Sequence, residues 1–314
     1  DLNGDGHVDL VVANDTVRNF LYLGKGDGTF KEEGRSSGIA FDTNGNARGA
    51  MGIDIGRFRN SDELGIAIGN FANETTALYV RRTLTNQLPV FQDEAISNGI
   101  APPTRPELTF GVFFFDSDLD GRLDIFAANG HLEKDINLVQ SSQHYEQPPQ
   151  LLWNCGAEHE NEFVALTSAQ CGEDFVRRMV GRGASFADID GDGDLDLLIT
   201  SNGGSPRLLR NDQDLGHHWL RVRLTGTTGV NSSAIGTWID IHTATGVRSQ
   251  QVMPTRSYLS QAELPVTFGL GDHDQIDKLV IRWPNGTTRE VKNPEIDTML
   301  EFTQAVPTAT SKGQ

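Results

Sequence analysis

The amino-acid sequence predicts an all-β protein, and three of its features carry that prediction. A short acidic loop recurs along the chain, followed each time by an apolar run rich in β-branched and aromatic residues. Glycine is abundant, with 34 residues among 314, and it separates short segments instead of long helical patterns. Towards the C-terminus, apolar and polar side chains alternate with the period of a half-buried strand.

The acidic loop has three clear copies: 1-DLNGDGHVDLVVAND-15, 116-DSDLDGRLDIFAANG-130 and 188-DIDGDGDLDLLITSN-202. All three fit the pattern D-x-[DN]-x-D-G-x-x-D followed by an apolar run. A fourth copy, 57-RFRNSDELGIAIGNF-71, keeps the apolar run but has lost the acidic positions. The copies start 56, 59 and 72 residues apart, so this part of the chain is predicted to contain about four structural repeats.

Other residues recur in step with the loops. Each loop is followed by a pair that begins with Leu, and three of the four are then followed by a Phe and a Gly. These are Leu21-Tyr22, Leu78-Tyr79, Leu152-Trp153 and Leu208-Leu209, then Phe30, Phe91 and Phe163, and then Gly38, Gly99 and Gly172. The third repeat is longer because residues 131–150 precede its next strand. Extra loop length on a rigid scaffold often carries binding, so residues 131–150 are the candidate contact surface for a partner.

The spacing within the loops indicates calcium. Ca²⁺ takes hard oxygen ligands, which stand at positions 1, 3, 5 and 9, with a backbone carbonyl at position 7 and a Gly at position 6 that permits a sharp turn. The predicted ligands of about three ions are Asp1, Asn3, Asp5, His7 and Asp9; Asp116, Asp118, Asp120, Arg122 and Asp124; and Asp188, Asp190, Asp192, Asp194 and Asp196. Of these, His7, Arg122 and Asp194 contribute a backbone carbonyl, and we expect the Asp194 side chain to face solvent.

Two other structures could in principle account for these loops, an EF-hand and a metal-free turn. An EF-hand needs a Glu at the twelfth position and flanking helices, whereas the twelfth residues here are Val12, Ala127 and Ile199 and the flanks have strand composition. The loops are therefore predicted to lie inside β-hairpins. The other alternative is a set of metal-free Asp/Gly turns, although such turns need only one or two Asp each.

The degenerate copy has Arg57 and Arg59 at two ligand positions. Our hypothesis is that this repeat replaces calcium by a salt-bridge cluster, with Asp54, Asp62 and Glu63 as the nearest partners in sequence. The alternative is drift on a surface loop, since exposed ion pairs contribute little stability.

The C-terminal part predicts a small β-sandwich. Alternating residues in 219-WLRVRLTG-226 read as a half-buried strand, and Pro284-Asn285-Gly286 closes a predicted hairpin. Trp283 shares a face with Leu279 and Ile281, so we expect it in the core. About seven short strands fit such a sandwich, and residues 306–314 are expected to be a disordered end.

These segments resemble known families. The acidic loops, with 109-TFGVFFFD-116 leading into one, resemble FG-GAP (VCBS-type) repeats, the blades of the integrin α-subunit β-propeller. Four C-terminal segments resemble the ASPIC/UnbV domain: 231-NSSAIGTWIDIHTATG-246, 257-SYLSQ-261, 267-TFGLGD-272 and 279-LVIRWPNG-286. The resemblance implies a partial, nominally seven-bladed β-propeller over residues 1–214 and an ASPIC/UnbV domain over residues 215–305. It also implies further blades upstream, without which the first blade would expose open strand edges.

Net charge and cysteine content limit the classes of partner and the cellular compartments that fit this chain. The net charge of −17 disfavours nucleic-acid phosphate as a partner, and no apolar run approaches the roughly 18 residues of a membrane span. Cys155 and Cys171 could form a disulfide in an oxidising compartment or remain free thiols. Calcium sites of the extracellular type and this possible pairing point to a secreted, periplasmic or cell-surface protein.

Two functional classes follow. The first is a non-enzymatic, calcium-stiffened scaffold that binds a protein or glycan through a propeller rim. The second is an enzyme with its site in the propeller channel and a polysaccharide as the candidate substrate. For this class the sequence offers no inward carboxylate pair outside the metal loops. The stretch 34-GRSSG-38 formally matches a nucleophile elbow but fills a turn position. We expect His131 to hydrogen-bond its own loop, and His217-His218 to be solvated or structural between domains.

Overall fold

The structure is a computed structural model that describes residues 1–61, 63–85, 88–227 and 229–305. Residues 306–314, predicted to be a disordered end, lie outside this range. Regular structure in the described residues is almost entirely strand, so the predicted all-β class is confirmed. The helices found there have one turn each: α1 (Ala101–Thr104), α2 (Ile136–Val139), α3 (Ser168–Cys171) and α4 (Glu173–Val176). None of them is long enough to cross a bilayer.

Residues 1–214, here called the repeat region, form four antiparallel sheets in the described part of the chain. These are the blades of a partial propeller, one for each predicted repeat. Blade 1 is β1 (Leu10–Val12), β2 (Phe20–Gly24) and β3 (Phe30–Glu32); blade 2 is β4 (Ala50–Gly56), β5 (Gly65–Asn70), β6 (Ala77–Thr85) and β7 (Leu88–Asp93); blade 3 is β8 (Thr109–Phe115), β9 (Asp124–Asn129), β10 (Gln150–Asn154) and β11 (Phe163–Ala165); blade 4 is β12 (Gly181–Ala187), β13 (Asp196–Ser201) and β14 (Arg207–Leu209).

Residues 215–305, here called the C-terminal region, form two packed sheets and a short hairpin. Their strands are β15 (His218–Thr225), β16 (Trp238–Thr243), β17 (Gly246–Gln251), β18 (Thr255–Arg256), β19 (Ser260–Gln261), β20 (Val266–Gly271), β21 (Lys278–Arg282), β22 (Thr288–Lys292) and β23 (Thr298–Thr303). One sheet has the order β20-β15-β23, the other β17-β16-β21-β22, and β18 pairs with β19. Trp283 is buried with Leu279 and Ile281 in the core between the sheets, as predicted.

Neighbouring blades bury their apolar faces against each other. In β8 every residue is buried, because the strand lies between blades 2 and 4. Successive side chains of a strand point to opposite faces, so Val112 and Phe114 join a core with blade 2 while Phe113 and Phe115 join one with blade 4. Most of the recurring Leu and Phe landmarks of the sequence lie in such cores, namely Leu21, Leu78, Leu152, Phe91 and Phe163, whereas Phe30 and Leu208 are exposed.

Blade 1 has an open edge in the described chain. The strand that follows the loop in blades 2, 3 and 4 (β5, β9 or β13) pairs with a strand on each side. In blade 1 the strand that follows the loop is β1, and it pairs with β2 alone. Leu10 and Val12 are consequently 45% and 37% exposed. This edge matches the exposed strand edge expected for the first blade.

A hairpin of the C-terminal region, residues 254–262, reaches back to the repeat region and is here called the arm. Ser257 forms an antiparallel bridge with Ile53 of β4, and Ser185 of β12 donates its hydroxyl to the Gln261 carbonyl (2.6 Å). A Cβ on Gly111 would lie 2.8 Å from the Arg182 carbonyl of the next blade, and one on Gly183 would lie 2.7 Å from Ser260 Oγ of the arm. Beside β12 the arm therefore takes the place that the neighbouring blade takes beside β8.

Candidate metal loops

The acidic loops lie where an innermost strand turns into the second strand of its blade. Residues 116–124 connect the antiparallel pair β8 and β9, and residues 188–196 connect β12 and β13, so the predicted hairpin setting is confirmed for these two. Residues 1–9 lead into β1. The backbone φ is +86° at Gly6, +91° at Gly121 and +100° at Gly193, which is the left-handed turn expected at position 6.

The first Asp of each loop folds the loop around its own carboxylate. Asp188 accepts hydrogen bonds from the N–H groups of Gly191 (2.7 Å) and Gly193 (3.1 Å). Asp1 accepts the equivalent bonds from Gly4 (2.6 Å) and Gly6 (3.0 Å), and Asp116 accepts one from Gly121 (2.9 Å). The carboxylate at position 1 is thus oriented by N–H groups of its own loop.

The ninth Asp has a second role that sequence reasoning missed. One oxygen accepts the N–H of the second loop residue. The other accepts an N–H at or just after the end of the strand that follows in the sheet, which is β2, β10 or β14. The two N–H donors are those of Leu2 and Gly24 for Asp9, of Ser117 and Asn154 for Asp124, and of Ile189 and Asn211 for Asp196, at 2.6–3.0 Å. The signal available in the sequence was the acceptor-only Asp followed by the Leu pair, which comes 12 residues later in the first and last acidic loops and 28 residues later in the 116–124 loop. The ninth Asp therefore ties each loop to its blade.

The structure gathers the carboxylates of two loops. One oxygen each from Asp116, Asp118 and Asp120 lie within 4.8 Å of one another, and so do oxygens from Asp188, Asp190 and Asp196. In the loop 1–9, as the structure describes it, no such three-carboxylate group forms, and Asn3 Nδ2 donates instead to Asp5 Oδ2 (2.9 Å).

The 116–124 loop combines deep burial with several carboxylates, of which Asp120 pairs with Arg122. Asp116 is 2% exposed, and its Oδ1 is buried without a hydrogen-bond partner. Burial raises the pKa of Asp116 well above its usual value, and the carboxylates of Asp120, Asp118 and Asp124 raise it further. Burial, and then the Asp118 carboxylate, raise the pKa of Asp124 to about 8. A hard cation at this loop would meet the orphaned oxygen and offset the repulsion, so these residues fit Ca²⁺.

Asp194 differs from expectation. Its side chain is 6% exposed, not solvent-facing, and Oδ1 accepts a hydrogen bond from Gln213 Nε2 (2.7 Å). The chain after β14 folds back over the loop and covers it, and burial raises the pKa of Asp194 to about 6.

The C-terminal region sits directly on these two loops. The guanidinium of Arg221, in β15, bonds Asp188 Oδ2 (2.7 Å) and also pairs with Glu263. At the other loop, Gly271 N–H donates to the Leu119 carbonyl (2.8 Å), and His217 Nδ1 lies 2.6 Å from the Asp118 carbonyl oxygen. His217 therefore has the interdomain structural role expected of it.

The degenerate loop carries a salt-bridge cluster centred on Arg59. Its guanidinium makes two parallel bonds to Glu162, from Nε (2.7 Å) and Nη2 (2.6 Å), and one from Nη1 to Glu63 (2.8 Å). Glu94 lies 3.6 Å away and also pairs with Arg82. Glu162 belongs to blade 3, so the cluster joins two blades.

Of the partners expected for this cluster, only Glu63 is confirmed. Asp54 pairs instead with Arg256 of the arm (2.9 Å), because β4 turns that side chain towards the C-terminal region. Asp62 lies outside the described residues. Arg57 places its guanidinium 4.9 Å from the ring of Trp238.

The remaining sequence candidates have structural settings. His131 is buried, and its Nδ1 accepts the Glu133 N–H (2.9 Å), as expected. In 34-GRSSG-38 the chain makes a turn, and the buried Ser37 hydroxyl donates to the Gly34 carbonyl (3.1 Å). Cys155 and Cys171 are both free thiols in this structure.

Comparison with known proteins supports the resemblance. The family model described as FG-GAP-like repeat matches residues 1–60, and the one described as ASPIC and UnbV matches residues 226–309. The chain is similar to Cartilage acidic protein 1 of Xenopus tropicalis, 28% identical over 304 residues, and of Homo sapiens, 27% identical over 301 residues. Each alignment covers 94% of this chain and 42% of the relative, so the chain spans less than half of their length. Among solved structures it is similar to a Bombyx mori GH32 beta-fructofuranosidase in complex with sucrose, with 11% identity and a TM-score of 0.31 over 90% of this chain and 63% of that chain.

Replacing Arg59 by Met tests the cluster in the degenerate loop. The change leaves the buried Glu162 without its counterion, whereas Glu94 keeps Arg82, so we expect the free energy of unfolding to fall by about 3 kcal/mol. Arg223→Met, which breaks an exposed pair with Glu301, is the control and should change stability by less than about 1 kcal/mol. Urea denaturation of both variants measures the difference, and equal midpoints would show that the cluster is not structural.

The buried carboxylates predict an unusual pH dependence for the metal-free protein. Folding raises the pKa of Asp124 from 3.8 to about 8, so the folded state holds a proton that the unfolded state releases. Stability without metal should therefore fall as pH rises from 6 to 8, by about 1.4 kcal/mol per pH unit for each such proton.

Thermal unfolding in EDTA across this range measures the fall. Asp118→Ala removes a carboxylate that raises the pKa of Asp124 and should make the fall shallower, whereas the exposed control Asp274→Ala should not. Stability that stays constant or increases from pH 6 to 8 would contradict the electrostatic description of this loop.

Proposed function

We propose that this protein, in which FG-GAP-like repeats precede an ASPIC and UnbV segment, is a calcium-stabilised scaffold for protein or glycan recognition that acts outside the cytoplasm. The buried, unpartnered Asp116 Oδ1 among four carboxylates is the observation that carries the calcium part of the proposal. Protein interiors rarely leave such an atom unpaired, and Ca²⁺ is the ion whose ligand chemistry matches this loop.

The calcium is proposed to be structural and to number three ions. Asp116, Asp118, Asp120 and Asp124 with the Arg122 carbonyl would hold one, and Asp188, Asp190, Asp192 and Asp196 with the Asp194 carbonyl another. The loop 1–9 would hold the third through Asp1, Asn3, Asp5, Asp9 and the His7 carbonyl, after its side chains close around the ion. When bound, the ions supply charge neutralisation and crosslinking of the loops. The residues themselves fix the loop turns and anchor the C-terminal region.

The setting of the loops favours a scaffold over an enzyme. Both loops lie against the C-terminal region, where Arg221 bonds the Asp188 carboxylate and where His217 and Gly271 contact the backbone carbonyls of Asp118 and Leu119. Their proposed role is therefore to hold parts of the chain together. The enzymatic alternative needs two carboxylates outside the metal loops that exchange protons. The two such groups near the channel, Asp54 and Glu263, are each held by an arginine, Arg256 and Arg221.

A partner surface and a location complete the proposal. Residues 131–150 remain the proposed contact surface, and in α2 the side chains of Leu138 and Val139 are 81% and 82% exposed. Such apolar exposure on a charged loop suits a protein or glycan partner. The relatives are named for cartilage and for acidity, and this chain shares the acidity with its charge of −17, which supports a secreted, periplasmic or cell-surface location.

Calcium titration followed by thermal unfolding and calorimetry tests the proposal. Ion binding at 100 times Kd stabilises the fold by about 2.7 kcal/mol per site, so the wild type should show a clear rise in melting temperature and a stoichiometry near three. Asp118→Ala and Asp190→Ala should each remove one site, and Asp274→Ala should remove none. A cooperatively folded protein whose melting temperature does not respond to calcium would overturn the proposal.

A further inference from the structure

A cavity of about 430 Å³ lies between the innermost strands of the blades and the C-terminal region, next to the arm. This volume is within the range of small-molecule sites. We propose that the cavity binds a neutral, hydroxyl-rich ligand with the dimensions of a mono- or disaccharide. The site is separate from the rim surface described above. Because its lining includes Asp1, Asp9 and Asp116 of two acidic loops, the inference rests on the proposed function, in which bound calcium neutralises these carboxylates.

The first argument is an unsatisfied acceptor in the cavity wall. Asp54 is 3% exposed, and its Oδ2 accepts hydrogen bonds from Arg256 Nη1 (2.9 Å) and from the Phe114 N–H (2.8 Å). Its Oδ1 is buried and has no partner. Leaving such an oxygen unpaired is unfavourable, so a ligand hydroxyl that reaches it after a small rotation of the carboxylate would be favoured.

Charge in the wall selects a neutral ligand. The charged residues that line the cavity are Arg57, Arg81 and Arg256 together with Asp54 and Glu263. Three further lining residues, Asp1, Asp9 and Asp116, belong to the proposed calcium loops, and bound ions would neutralise their carboxylates. A cationic ligand would meet the guanidiniums and an anionic one the carboxylates, in an environment where like charges repel more strongly than in water. Since Arg256 already neutralises Asp54, a neutral donor adds a hydrogen bond without unbalancing the pair.

The remaining wall combines aromatic and amide groups. Trp238 and Phe186 present ring surface, and Gln250 and Gln251 present amides. Gln250 Nε2 donates to the Thr267 carbonyl (2.8 Å) and Gln251 Nε2 to the Gly236 carbonyl (3.2 Å). These bonds fix the two amide planes, and the amide oxygens remain available as acceptors. A sugar ring, with apolar C–H faces and a rim of hydroxyls, matches this mixture of surfaces.

The test uses the full chain in saturating calcium, with its melting temperature recorded so that a failure of calcium binding is seen separately. Saturation-transfer NMR and calorimetry are carried out with glucose, galactose, N-acetylglucosamine, maltose and lactose. Glucosamine and glucuronic acid serve as charged analogues of glucose. Thr255→Trp fills the cavity from an exposed position of its wall, and Thr288→Trp makes the same change at an exposed strand position outside it.

We expect at least one neutral sugar to bind with saturation, and its Kd to rise tenfold or more in Thr255→Trp but not in Thr288→Trp. The amine and the acid should bind more weakly than glucose. No binding by any neutral sugar to the folded, calcium-loaded protein would overturn the inference. So would tighter binding of either charged analogue, or equal binding by Thr255→Trp with an unchanged melting temperature. None of these results would contradict the calcium scaffold.

Discussion

Charge at the turn between the innermost strand and the second strand of each blade is the constraint on which the rest of this structure depends. In blades 2, 3 and 4 these turns lie at the ends of strands buried between blades, and several of their charged side chains are removed from water, whereas Asp1 and Asp5 of the loop before β1 are exposed. Asp116, Asp124 and Asp196 are all buried, and Glu162 and Glu94 are buried beside the turn of blade 2. Groups of this kind are stable only when they are paired or coordinate an ion.

The chain meets this constraint in two ways within one repeated frame. Three turns keep the spacing of an oxygen cage, and blade 2 places the guanidinium of Arg59 among carboxylates. Arg59 of blade 2 also bonds Glu162 of blade 3, whereas an ion bound in an acidic loop would contact the residues of that loop. We therefore interpret the degenerate repeat as a permanently neutralised junction between blades 2 and 3, independent of calcium concentration.

The same turns connect the two parts of the chain. Loop 188–196 bonds Arg221 of β15, and loop 116–124 bonds Gly271 and His217. Through the ninth Asp, each acidic loop is also hydrogen-bonded to the end of another strand of its blade, which is β2, β10 or β14. The conformation of each of these two loops therefore affects both its blade and the contact with the C-terminal region. The arm adds a second connection, because it packs beside β12 as a neighbouring blade would.

Sequence alone predicted the features that depend on local pattern and repetition. The all-β class, the number of blades, the hairpin setting of two loops, the left-handed glycines at position 6 and the burial of Trp283 all follow from spacing and alternation. The errors concern contacts between residues distant in sequence. The Asp54 side chain meets Arg256, 202 residues away, and Arg59 meets Glu162, 103 residues away. Asp194 is covered by the segment after β14, which contains Gln213, and the repeat pattern of the sequence does not predict where that segment lies. A single sequence states what each blade contains but not which side chains of adjacent units face each other.

Crystals grown in calcium, with anomalous diffraction measured to locate the ions, give the most direct test of this account. It predicts anomalous peaks at loops 1–9, 116–124 and 188–196, each surrounded by the named oxygens, with the Arg59 guanidinium and no peak at loop 57–65. A peak at loop 57–65, or no peak at loop 116–124 with Asp116 Oδ1 still unpaired, would contradict it.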